Sequence, residues 1–163
     1  MAADRITIFT DGACKGNPGR GGWAAVLYQD GAQQVVSGHD PWTTNNRMEM
    51  LAAIRGLEAA GLVDEVVIYS DSTLVVNTMT KGWKRNKNHD LWEQLDRLSQ
   101  DKRITWKWVR GHNGTPGNEL ADTIASREAG LPGPEAAGLP TSASQRPGTG
   151  RPGTTGRSRR STP

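Results

Sequence analysis

The sequence predicts an α/β domain, built as a mixed five-stranded sheet with helices on both faces. Three observations lead there. Apolar residues alternate in three consecutive segments near the N-terminus, the second and third split by Asp30-Gly31, a hairpin signal. Helical and strand periodicities then take turns, giving the order βββ-α-β-α-α-β-α. A short apolar run, EVVIYS (65–70), follows a helix and so reads as a central parallel strand. The first three strands are expected to be antiparallel and the remaining ones parallel.

The elements follow in order. Residues 4–10 form the first strand, which is expected to end on Asp11. GWAAVLYQ (22–29) and QQVVSGH (33–39) complete the meander. TNNRMEMLAAIRGLEAAG (44–61) is a helix, with Met50, Ile54 and Leu57 on one face and Gly61 as its stop. DSTLVVNTM (71–79) starts a second helix at its Asp/Ser pair. DLWEQLDRLSQ (90–100) is amphipathic through Leu91, Leu95 and Leu98. RITWKWV (103–109) is a strand. Thr115-Pro116 reads as an N-cap followed by a first-turn proline, opening a helix that runs to about Glu128. Trp106 and Trp108 share a strand face and read as packing. Trp23, Trp42 and Trp92 read as core or half-buried.

Charge is unevenly distributed. The net charge is +3, but from Leu131 onward the chain holds five arginines and one acid. Residues 1–130 are left with 15 basic and 16 acidic side chains. The C-terminal stretch has 12 Pro or Gly among 33 residues and only two leucines. It cannot bury enough apolar surface to offset its ordering entropy. We therefore read residues 1–130 as the folded domain and 131–163 as a disordered basic tail, able to add salt-sensitive attraction to nucleic acid. No apolar run approaches the length that spans a bilayer, and the N-terminus lacks the apolar stretch of a signal peptide. The single cysteine, Cys14, fits a reducing cytoplasm and reads as a small semi-buried filler.

The chemistry lies in the acids. Asp11 and Asp71 each follow a strand, and open α/β sheets bind ligands beyond the carboxyl ends of their strands. Glu49 borders the apolar stripe of its helix, and Asp122 lies off the face marked by Leu120 and Ile124. Acids gathered at one sheet edge must protonate or hold cations. Hard oxygen ligands suit Mg²⁺ or Mn²⁺, and a pair of such ions forms the clamp used for in-line phosphoryl transfer. The glycines after Asp11 would let a bulky ligand approach the backbone. Spacing alone does not bring the four acids together, since a single Asp at a strand end is most often a turn former or a cap.

Four segments resemble type 1 ribonuclease H, in the same order across residues 5–128. They are FTDGACKGNPGRGGWAAVL, TTNNRMEMLAAIRGLEA, VVIYSDSTLVV and KWVRGHNGTPGNELADTIA. The resemblance implies the ribonuclease H-like fold and an endonuclease that cuts the RNA strand of an RNA/DNA hybrid, leaving 5′-phosphate and 3′-hydroxyl ends. It implies Asp11, Glu49, Asp71 and Asp122 as metal ligands for two Mg²⁺ ions, with Mn²⁺ a substitute. It implies a role for His112 in proton transfer to the leaving group or in product release. Asn17, Asn45 and Asn46 match positions contacting the minor groove around the cut, while Thr44 and Asn88 match a pocket for a DNA-strand phosphate. Two departures stand out. The interval KGWKRNKNH (81–89) is short where many members carry a long basic protrusion, though Lys81, Lys84, Arg85 and Lys87 remain and Trp83 is a candidate stacking surface. Thr73 also stands where a glutamine often sits. A monomer is the default expectation. The competing function is a hybrid-binding module without catalysis.

Overall fold

The structure is a computed structural model and describes residues 5–111 and 114–132. His112 and the tail from 133 onward lie outside the described residues. Three long strands come first: β1 (Arg5–Lys15), β2 (Gly19–Gln29) and β3 (Ala32–Thr43). Then follow α1 (Asn45–Ala60), β4 (Glu65–Ser70), α2 (Thr73–Lys81), α3 (His89–Ser99), β5 (Arg103–Trp108) and α4 (Pro116–Glu128). The five strands form one sheet in the order β3-β2-β1-β4-β5. β1 to β3 pair antiparallel, and β4 runs parallel to both β1 and β5.

Successive residues of a strand face opposite sides of the sheet. Ile6 and Ile8 of β1 therefore meet one layer and Phe9 the other. Gly56 of α1 lies against Ile8, and Gly117 of α4 lies against Phe9, so α1 and α4 cover opposite faces. The main core lies on the α1 side, where Ile8, Leu27, Ile54, Leu57, Ile68 and Leu95 are buried together. Each such aliphatic side chain contributes about 1.5–3 kcal/mol by leaving water.

The antiparallel strands are longer than expected, and β1 does not end at Asp11. It continues to Lys15, paired with β2 as far as Lys15↔Arg20. Glycines hid this, because an alternation pattern needs side chains to be seen. Two of the glycines, Gly12 and Gly22, serve the packing of the fold itself. A Cβ on Gly12 would stand 2.5 Å from the backbone nitrogen of Glu49, and one on Gly22 would stand 2.3 Å from the carbonyl oxygen of Ala125. Bare backbone here admits the protein's own helices, α1 on one face and α4 on the other.

Helix ends follow local chemistry. Thr44 caps α1, its Oγ1 accepting from the Arg47 backbone N–H, and Gly61 closes the helix at φ 65°. Ser72, not Asp71, caps α2, accepting from the Val75 N–H. That leaves the Asp71 carboxylate free of helix-capping duty. Two tryptophans depart from the packing expectation. Trp42 is 70% exposed and Trp108 is 49% exposed, whereas Trp92 is buried as expected. Trp106 is partly buried against the core. Cys14 is half-buried, its thiol donating to the Gly16 carbonyl at 2.8 Å.

Candidate active site

β4 pairs with β1 only as far as Phe9↔Tyr69. Two residues further along each chain come Asp11 and Asp71. The first is still in a strand, held by β2, while the second has just left one. The topology thus sets two carboxylates level at the sheet edge. α1 begins beside Gly12, and its second turn carries Glu49 to the same place. Carboxylate oxygens of Asp11, Glu49 and Asp71 all lie within 4.8 Å of one another. Asp122, on α4, lies near enough for its charge to act on Asp11. Three of the four acids marked by the sequence therefore form one cluster, and the charge of Asp122 acts on it from α4.

This arrangement is electrostatically strained. Burial, and then the charges of Asp71 and Asp122, push Asp11 up to about 9, against a small opposing effect of the Gly12 N–H that its Oδ1 accepts at 2.9 Å. Burial also lifts Glu49 well above the usual carboxylate range, with Asp11 and Asp71 adding to it. Asp71 is raised by burial first, while its contacts with Glu49 and Asp11 pull it back. Among the described residues, no ion pair supplies Asp11, Glu49 or Asp71 with a Lys or Arg. Among the described residues, Glu49 Oε1 and Asp71 Oδ1 are buried with no hydrogen-bond partner. Several hard, anionic oxygens with unsatisfied lone pairs fit a divalent cation, which would relieve both the repulsion and the missing partners.

The backbone supports this cluster on the β5 side. Trp108 donates its indole N–H to the Asp71 carbonyl at 3.1 Å, and the Val109 N–H donates to the Ser70 carbonyl at 2.9 Å. A Cβ on Gly111 would stand 2.9 Å from Asp71 Oδ2. Sequence reasoning missed Trp108, because strand alternation assigned it to packing.

The other predicted residues fall into two groups. Around the start of α1, Asn17 Oδ1 accepts the Asn45 backbone N–H at 3.0 Å, and Thr44 is the cap. Beside it, a cleft of about 260 Å³ is lined by Asn46, Asn88, Lys84 and Lys87, with Trp92 in its wall. Asn88 precedes α3 in the left-handed region at φ 60°. Trp83 is 45% exposed and is not among the residues lining this cleft. Arg85, counted with the basic residues of the 81–89 interval, is engaged within the fold: it pairs with Asp96 at 2.6 Å and lies 5.3 Å over the Trp92 ring. Arg47, unmarked by sequence reasoning, bonds both Asn88 and Asp90. No helix among the described residues is long and apolar enough to cross a membrane.

Comparison with known proteins agrees with this geometry. The RNase H family model matches residues 3–130. Ribonuclease H of Thiobacillus denitrificans is 51% identical over 140 aligned positions, covering 78% of this chain and 95% of the relative. Ribonuclease H of Cupriavidus necator is 49% identical over 135, covering 75% and 93%. Among solved structures, the N-terminal RNase H domain of a Mycobacterium tuberculosis protein superposes with a TM-score of 0.71 at 30% identity, covering 78% of this chain and 95% of that one. LC11-RNase H1, solved in complex with an RNA/DNA hybrid, matches with a TM-score of 0.65 at 27% identity, covering 75% and 97%. The match spans the sheet and the elements bearing all four acids, and on these grounds the chain belongs to the RNase H family.

Proposed function

We propose that this protein is an endonuclease that hydrolyses the RNA strand of RNA/DNA hybrids, giving 5′-phosphate and 3′-hydroxyl ends. The observation that carries the reading is the convergence of Asp11, Glu49 and Asp71 within 4.8 Å, with the charge of Asp122 acting on Asp11. These four acids would hold two Mg²⁺ ions, or Mn²⁺ in their place. When bound, such ions supply water activation and charge neutralisation for in-line displacement at phosphorus. The chain's own groups do the rest. Trp108 and the β1–β4 register hold the carboxylates in place. His112 moves a proton at the leaving group or assists product release.

Recognition of the hybrid is assigned to polar groups at the start of α1 and in the neighbouring cleft. Asn17, Asn45 and Asn46 read the minor groove, where the RNA 2′-hydroxyl both donates and accepts. Thr44 and Asn88 grip a DNA-strand phosphate, and exposed Trp83 offers a face for the DNA sugars. Lys84 and Lys87 add positive charge along the same side. We take the working form to be a cytoplasmic monomer.

The test is cleavage of a short hybrid labelled on its RNA strand, beside RNA duplex, DNA duplex and single-stranded RNA, with Mg²⁺, Mn²⁺ or a chelator. Metal-dependent cutting of the hybrid alone is expected. Equal cutting of RNA duplex, or cutting in the chelator, would overturn the reading.

A further inference from the structure

Three polar side chains near the start of α1 have their acceptor atoms occupied by the protein itself. Asn17 Oδ1 accepts the Asn45 N–H at 3.0 Å. Thr44 Oγ1 accepts the Arg47 backbone N–H at 3.3 Å. Asn88 Oδ1 accepts from Arg47 Nη1 at 3.1 Å. Backbone N–H groups and guanidinium groups only donate, so each amide must turn its oxygen inward and its NH₂ away. The hydroxyl hydrogen of Thr44 is likewise left to be given to an acceptor. Each group thereby has a donor left to offer: the NH₂ of Asn17, the NH₂ of Asn88 and the hydroxyl hydrogen of Thr44.

The Thr44 bond is the N-cap of α1 and needs only a backbone N–H at position 47, whereas the Asn88 bond needs the Arg47 guanidinium. Arg47 is in turn anchored by Asp90, through Nη1 at 3.1 Å and Nη2 at 2.8 Å. Its charge is spent on that pair, and its side chain is 34% exposed. Asn88 makes no capping bond to α3, so helix formation does not fix its amide. Only the Arg47 contact does so among the described hydrogen bonds.

We infer that Arg47, held by Asp90, is a positioning residue that fixes Asn88 as a donor, beside Thr44, for an anionic backbone oxygen of the bound nucleic acid. This rests on the hybrid-cleaving function proposed above, in which that oxygen belongs to a DNA-strand phosphate. An arginine beside a nucleic-acid cleft is more simply taken as a direct phosphate ligand. The two roles differ at Asp90. Removing this acid strengthens binding if plain electrostatics governs, because a negative charge leaves the neighbourhood of a polyanion. It weakens binding if Asp90 holds Arg47, and Arg47 holds the Asn88 donor.

The experiment measures hybrid binding by fluorescence polarisation in a chelator, so that cleavage plays no part. Full-length wild type, Arg47→Lys and Asp90→Ala are compared, with thermal melts to confirm folding. Each is offered hybrids carrying one neutral methylphosphonate at successive DNA-strand positions. In wild type, one position is expected to weaken binding about tenfold, the size of a hydrogen bond to a charged group. Both variants are expected to bind the unmodified hybrid about tenfold more weakly and to lose sensitivity at that position alone. Lysine cannot reproduce the planar fork, so Arg47→Lys should not rescue. Tighter binding by Asp90→Ala, or undiminished sensitivity in both variants, would overturn the inference. So would wild type that binds and cuts the hybrid with no sensitive position, which leaves the proposed function standing. Wild type that neither binds nor cuts the hybrid would overturn both.

Discussion

The indole N–H of Trp108 donates to the carbonyl oxygen of Asp71 over 3.1 Å, tying an aromatic of β5 to the backbone that carries a carboxylate of the acidic cluster. The indole is 49% exposed, so the bond does little for the core. Trp108→Phe keeps an aromatic ring but removes the donor together with the pyrrole half of the indole. It should cost about 0.5–1 kcal/mol of stability, the usual net worth of one hydrogen bond. Activity should fall further than stability, with several-fold more Mg²⁺ needed for half-maximal cleavage. Thermal melts beside a Mg²⁺ titration of activity check this. A large stability loss with unchanged metal dependence would show that Trp108 only packs.

Two glycines near the acids should respond differently to alanine. A Cβ at Gly12 meets backbone, 2.5 Å from Glu49 N and 2.6 Å from the Met48 carbonyl carbon. Neither can yield without shifting α1, so Gly12→Ala should cost about 1–3 kcal/mol, as overpacking does. A Cβ at Gly111 meets Asp71 Oδ2, the end of a side chain that can swing away. Gly111→Ala should therefore leave the melting temperature nearly unchanged while lowering activity sharply. Equal destabilisation by both substitutions would contradict this distinction.

Asp11 gives the molecule a characteristic pH dependence when metal is removed. Its folded pKa is raised to about 9, while an unfolded aspartate titrates near 3.8. Between those values the folded state binds the extra proton, so stability falls as pH rises. The contribution is fully present below about pH 4 and is lost as pH passes through about 9. Asp11→Asn removes the titration. In a chelator, the variant should gain in melting temperature relative to wild type as pH rises, because repulsion in the cluster is relieved. Added Mg²⁺ should stabilise wild type more than the variant, since only wild type keeps the full set of proposed ligands. Melts from pH 5 to 9, with and without the ion, check both. A wild-type advantage that grows with pH in the chelator would refute the sign.

Much of the fold was legible in the sequence, for physical reasons. α3 and α1 were readable because Leu91 and Leu95, or Met50, Ile54 and Leu57, repeat at helical spacing on buried faces. β4 was readable because a strand buried on both faces is apolar throughout. The extents of β1 and β2 were not legible, since Gly12, Gly19, Gly21 and Gly22 carry no side chains to show an alternation. Trp42 was misread because residue type alone suggests burial, yet it lies 70% exposed two residues before the cap of α1. Sequence spacing did not bring Asp11, Glu49 and Asp71 together; the β1–β4 register and the seat of α1 on Gly12 do. The four-segment resemblance marked these acids in advance, but Arg47 escaped it, because its role rests on contacts with Asn88 and Asp90 far along the chain.

The most direct test of the central claim uses wild type and Asp11→Asn on one RNA-labelled hybrid, scoring binding and cutting together in Mg²⁺. Both are expected to bind, wild type is expected to cut to 5′-phosphate ends, and the variant's cutting should fall by at least about a thousandfold, the scale expected when an essential charged group is removed. Binding without cutting by wild type would contradict the claim and favour a hybrid-binding module; so would Asp11→Asn that cuts as fast as wild type, because the chemistry would then lie outside the acidic cluster.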